Sequence, residues 1–152
     1  MINKVVAAVC GVLDREFGHP VYTEPVAQGV DVPAFFVTAD AVSLKRLLGE
    51  RRRLDFTVNI LYLPPQTERR RVEALETADK LCGLFRLLDV DGRLIHCFAA
   101  RYDFSNLTRG FNRGYESSDE VLIFKFDAKI FLNESGEDAD KMLYYNTQQE
   151  MK

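Results

Sequence analysis

Histidine and cysteine, on which much acid–base, nucleophilic and metal chemistry depends, are scarce in this sequence: two histidines and three cysteines in 152 residues. Cys10, Cys82 and Cys97 are far apart, odd in number and set among apolar neighbours, with no C-x-x-C. That spacing excludes a zinc knuckle and a disulfide framework, and buried reduced thiols are expected. His19 lies in a Gly-His-Pro turn and His96 in an apolar run, and no H-E-x-x-H or H-x-x-x-H pairs them for a metal. Nucleotide-phosphate loops of the G-x-x-x-x-G-K-[ST] or G-x-G-x-x-G kind are missing too. Asp89-Val90-Asp91-Gly92 opens like a calcium loop, but no glutamate follows to close one, so a turn is expected. No cofactor and no enzymatic activity are therefore expected.

Long apolar runs are lacking as well. No stretch approaches the roughly 20 apolar residues that span a bilayer. The first seventeen residues carry Lys4, Asp14, Arg15 and Glu16 within a helical pattern, unlike a secretory signal. The cytosol is expected, with no membrane partner. A net charge of −3 and a pI near 5.4 exclude a surface that is basic throughout.

What is present is the patterning of one globular domain: 47% apolar and 28% charged residues, with no repeat and no linker-like shift in composition. Apolar positions from Ile2 to Phe17 fall on one helical face, stopped by Gly18 and Pro20. Short strands are predicted at Val21 to Thr23 and Ala34 to Thr38, with an exposed connection from Glu24 to Val32. From Arg53 to Leu63 the apolar Leu54, Phe56, Val58, Ile60 and Tyr62 alternate with Asp55, Thr57 and Asn59, and Leu47 to Glu50 is placed to turn a preceding strand into it as a long β-hairpin. A second helix is predicted from Glu68 to Leu88, with Thr67 as N-cap and a stripe of Val72, Leu75, Ala78, Leu81, Cys82, Phe85 and Leu88. Two short strands, Leu94 to Phe98 and Ala99 to Phe104, a polar loop from Ser105 to Asp119 and a long alternating strand from Val121 to Leu132 follow. Layer logic makes this an α+β fold, a mainly antiparallel sheet with two helices packed on one face. Residues 1–132 form the expected domain, and 133–152 a polar tail, mobile or ordered on a partner.

The charges that the core does not require are basic. Arg51-Arg52-Arg53 are expected at the base of the hairpin, Arg69-Arg70-Arg71 open the second helix against its dipole, and Arg109 and Arg113 lie in the polar loop. Such arginines are either a solvated face or contacts to acidic neighbours or a polyanion. Lys45, Arg46, Arg51, Arg52, Arg53, Arg109 and Arg113 are the candidate interface residues, because they join charge to expected projection. A small nucleic-acid-binding module using these clusters is the alternative function.

Several stretches follow one another in a recognisable order: Val21-Tyr22-Thr23-Glu24-Pro25, Gln28-Gly29, Pro33-Ala34-Phe35-Phe36-Val37, Phe56 to Tyr62, a helix bearing Ala78-Asp79-Lys80-Leu81, and Val90-Asp91-Gly92-Arg93-Leu94-Ile95 reaching to Arg101-Tyr102-Asp103. In this order the chain resembles the tail terminator family of phages and phage-derived contractile particles of Gram-positive bacteria, over about residues 1 to 132. The loop from Ser105 to Asp119 is longer than the family's tight turn, and the tail has no counterpart there. The resemblance implies a structural protein without cofactor. It would form a homo-oligomeric, hexameric ring that caps the tail tube, stops tube and sheath growth and faces the head connector, with DNA passing through the lumen. Assembly would take place in the cytoplasm, and the chain would end as part of a virion or a phage-like, prophage-encoded particle. A head-to-tail ring needs two different patches per subunit, which long strands and a projecting hairpin can supply.

Overall fold

The computed structural model describes residues 1–24, 32–65, 67–106 and 120–133. Helix α1 spans Ile2–Phe17 and strand β1 Val21–Tyr22; β2 (Ala34–Arg46) and β3 (Arg51–Leu63) make the long hairpin. Helix α2 (Arg70–Leu84), β4 (Leu87–Val90), β5 (Arg93–Asn106) and β6 (Glu120–Asn133) follow. The strands lie in the order β1-β2-β3-β6-β5-β4, antiparallel except for the short β1–β2 pair. The α+β class, the mainly antiparallel sheet and the long hairpin are as expected.

Period-two patterning decides which face the helices cover. Leu54, Phe56, Val58, Ile60 and Tyr62 of β3 are buried beside Leu122, Phe124, Phe126, Ala128 and Ile130 of β6. Each large side chain removed from water there contributes about 1.5–3 kcal/mol. From α1, Val5, Val9 and Leu13 enter the same core at four-residue intervals. Gly18 ends α1 in the left-handed conformation (φ 71°) that glycine adopts without steric cost, its N–H donating to Asp14 O. Lys80 of α2 clamps that end by donating to Glu16 O at 3.1 Å, while its ammonium stands 4.7 Å from the Phe17 ring centroid.

Helix α2 departs from expectation in length, cap and face. It stops at Leu84, and Leu87–Val90 form a strand instead, so Leu88 and Val90 reach the core from β4. Arg69, two residues past the expected Thr67, is the N-cap residue, and the Thr67 hydroxyl accepts from the Arg69 N–H at 3.3 Å. Ala74, Ala78 and Leu81 are buried, whereas Val72 and Leu75 of the expected stripe are exposed. Small residues four apart leave room for the helix backbone beside the sheet, and the buried face runs through Ala74, Ala78 and Leu81.

Asp91 (φ 54°) and Gly92 (φ 86°) turn β4 into β5, paired Val90↔Arg93, with two positive φ angles as a two-residue hairpin requires. Two other positions tie left-handed backbone to bulges in the long strands. Ala41 (φ 52°) sits where the β2–β3 register shifts between Asp40 and Ser43, and Ala99 (φ 56°) where β5–β6 shifts between Phe98 and Arg101. The expected break between Phe98 and Ala99 is thus a bulge within one strand.

Candidate assembly surfaces

The hairpin carries its charge at the turn end. Beyond the bulge, every β2 residue from Ala41 to Arg46 is exposed, on both faces of the strand. Val42 and Leu44 are about half exposed (48% and 51%) and Leu48, in the turn, stands out at 94%. Cross-strand register sets Lys45 opposite Arg53 and Arg46 opposite Arg52. Like charges directly opposite one another are unfavourable in themselves. Asp55 offsets part of the charge: Arg53 Nη2 donates to Asp55 Oδ2 at 3.1 Å, and Nε stands 2.9 Å from Oδ1. Arg51 lies over the Phe131 ring, 5.4 Å from its centroid.

The structure therefore brings together Lys45, Arg46, Arg51, Arg52 and Arg53 from two strands, beside the turn and not at the hairpin's foot. Arg109 and Arg113 lie outside the described residues. Of the other cluster, Arg71 stands 3.9 Å from the Phe104 ring centroid, tying the start of α2 to β5.

Between the hairpin and the far sheet edge, the face away from the helices is polar and cross-linked. Asn59 donates through Nδ2 to Asp40 Oδ2 at 2.6 Å, and the Thr57 hydroxyl donates to Asp127 Oδ1 at 2.7 Å. Arg101 reaches the same carboxylate at 3.3 Å. At the β1 end this polar face gives way to a small apolar cluster around Phe36, Leu63 and Val121.

On the other side of β6 the sheet splits. The β5–β6 ladder starts at Cys97↔Ala128, while Arg93–His96 of β5 pair with β4 instead. Among the described residues, β6 residues 129–132 are laddered only to β3. The resulting wedge encloses about 540 Å³ and is lined by Arg93, Leu94, His96, Phe98, Lys129 and Phe131, with Ile95 and Ile130 at its floor. Leu94 is 64% exposed, and Phe98 and Phe131 are 36% exposed each. Neither the wedge nor the exposed hairpin apolars were singled out from sequence; the loss of alternation between Ala39 and Gly49 is the signal that could have marked the latter.

The thiols and imidazoles form no common site. Cys97 is buried, and burial pushes its thiol up to about 11; Cys10 and Cys82 are half-buried, their thiols also raised by burial. His19 is flanked by Phe17 and Phe35, and desolvation lowers its pKa. His96 is exposed, stacked against Phe98 in the wedge. Among the described residues no three His, Cys, Asp or Glu side chains gather to hold a metal ion, and no helix is long and apolar enough to cross a membrane.

A comparison with curated proteins found no match. Among solved structures, one aligned over 85% of this chain and 94% of its own has 14% identity and a TM-score of 0.47, too slight a likeness to carry an argument. The family model described as phage tail terminator protein matches residues 4–140, nearly the whole chain. The chain belongs to the phage tail terminator proteins, and its role is that of a structural component of a phage tail.

Proposed function

We propose that this chain assembles head to tail into a hexameric ring that caps the tail tube, halts growth of tube and sheath, and presents the head-proximal surface for a connector. Residues 1–132 act as the ring-forming domain, assembled in the cytoplasm, in a phage or phage-like contractile particle of the Gram-positive type. The observation that carries this reading is the hairpin end, where exposed Val42, Leu44 and Leu48 adjoin the like-charged pairs Lys45–Arg53 and Arg46–Arg52. Apolar surface flanked by cations that oppose one another in the free subunit is what an acidic neighbouring surface would stabilise. With five of the seven candidate cations at this one end, the hairpin supplies one of the two patches a closed ring needs.

Electron microscopy of tails assembled with and without this chain tests it. Tails of uniform length closed by a ring are expected with it, and over-long tubes without it; a chain that stays monomeric and never sits on tube ends overturns the reading. The same cations favour a second reading, binding of a polyanion. DNA affinity falling steeply with salt, lost on replacing Arg51, Arg52 and Arg53 by Ala, and selective for sequence would favour a nucleic-acid module instead.

A further inference from the structure

The two ends of the hairpin are unlike. Thirteen residues of β2 (Ala34–Arg46) span roughly 40 Å at ~3.3 Å per residue, so the turn stands far from the foot, where α1, α2 and β3 meet. At that foot a cavity of about 360 Å³ opens between the end of α1, Tyr62 of β3 and α2. Phe17, Tyr62 and Pro33 give it aromatic and apolar walls, and on its α2 side stand the carboxylates of Glu73 and Glu76. These two are three residues apart and so neighbours on the helix surface, with like charges that a cation set between them relieves. Lys80 also lines the cavity, but its ammonium already donates to Glu16 O and lies over the Phe17 ring.

We propose that this cavity is the socket for the hairpin turn of a second copy of the chain, with Leu48 seated against Phe17 and Tyr62 and Lys45 set against Glu73 and Glu76. This assignment rests on the ring-forming reading and names the second of the two patches that such a ring needs. Turn and socket are complementary in polarity and in charge. Leu48 is 94% exposed on the turn, and a leucine gains by leaving water for an aromatic wall. Lys45 is exposed and faces Arg53 across the hairpin, so carboxylates on a neighbour replace a repulsion with an attraction. Glu50, the carboxylate of the turn, is opposite in sign to Lys80 at the socket's rim. A subunit cannot seat its own turn, because the strands that carry the turn hold it roughly 40 Å from the foot. The contact therefore joins unlike patches of different copies, and such a contact passes from subunit to subunit until a ring closes.

A charge swap in the full-length chain, followed on assembled tails, tests it. Lys45→Glu and Glu76→Lys are each expected to lower the fraction of ring-capped tails about fivefold, and the chain carrying both changes recovers most of that loss. Both residues are exposed, so denaturation midpoints near the parent's are expected and show that the variants fold. A second measurement is independent of charge: Leu48→Cys together with Glu76→Cys, oxidised on the tails, gives a ladder of disulfide-linked copies that neither single variant gives. Should a charge variant fail to fold, this cysteine pair decides the matter. Parent rings on tube ends without such a ladder from the cysteine pair, or a folded double swap that caps no better than the single variants, overturn the socket and leave the ring-forming reading standing. A parent chain that never caps tubes overturns both.

Discussion

His19 shows how one side chain makes stability depend on pH. Its ring lies against Phe17 and Phe35 at a cavity that also holds Tyr62, Glu73, Glu76 and Lys80, and loss of water lowers its pKa from 6.5. The unfolded chain therefore binds a proton at a higher pH than the folded one. The contribution of neutral His19 is complete above pH 6.5, is lost as pH falls from there through the lowered folded value, and levels off below it. Denaturant unfolding at pH 7.5 and pH 5 checks this: the parent loses more stability between the two than His19→Gln does. Equal losses would mean that desolvation of His19 has no thermodynamic consequence. At the same scale Asn59, the one buried polar side chain among those described, is anchored through Asp40 to the partner strand, which offsets its desolvation.

At the scale of elements, the two bulges are where sequence and structure meet least comfortably. Alanine at positive φ costs about 1–2 kcal/mol, and both Ala41 and Ala99 are held there. Ala99→Gly is expected to raise stability by about 1 kcal/mol, seen as a higher Tm, whereas Ala100→Gly, without a positive φ to relieve, lowers it by about 0.5–1 kcal/mol. Equal effects at the two positions would show that the bulge is not strained. Strands β3 and β6 were legible in the sequence because alternation reports one buried face directly, and α1 because its apolar face and Gly18 stop are both local signals. The end of α2 was not legible: Phe85 and Leu88 continue a helical stripe, and only pairing of Leu87–Val90 with Arg93–His96 makes a strand of them. The face of α2 was misread for a related reason, since close approach through Ala74 and Ala78 depends on the sheet beneath. Of the candidate surface, the charges were visible in sequence, but their opposition across β2 and β3 depends on a register shifted by the bulge, and the wedge depends on where β5 leaves β6.

At the scale of the whole molecule, the hairpin end sets subunit stability against assembly, and one substitution separates the two. Lys45 faces Arg53 across the hairpin, so Lys45→Glu turns a repulsive pair into an attractive one and is expected to stabilise the free subunit by a few tenths of a kcal/mol. If the cations of this end meet an acidic neighbour, the same change puts repulsion into that contact and assembly falls. Exposed hairpin residues outside the core carry little stability, so unfolding of the monomer by denaturant and capping of tail tubes can be followed as independent readouts. The expected result is an unchanged or slightly higher denaturation midpoint together with fewer ring-capped tails and a broader distribution of tail lengths, with low salt strengthening the contrast. Normal capping by Lys45→Glu, with tails of parental length, would remove the hairpin end from the assembly surface.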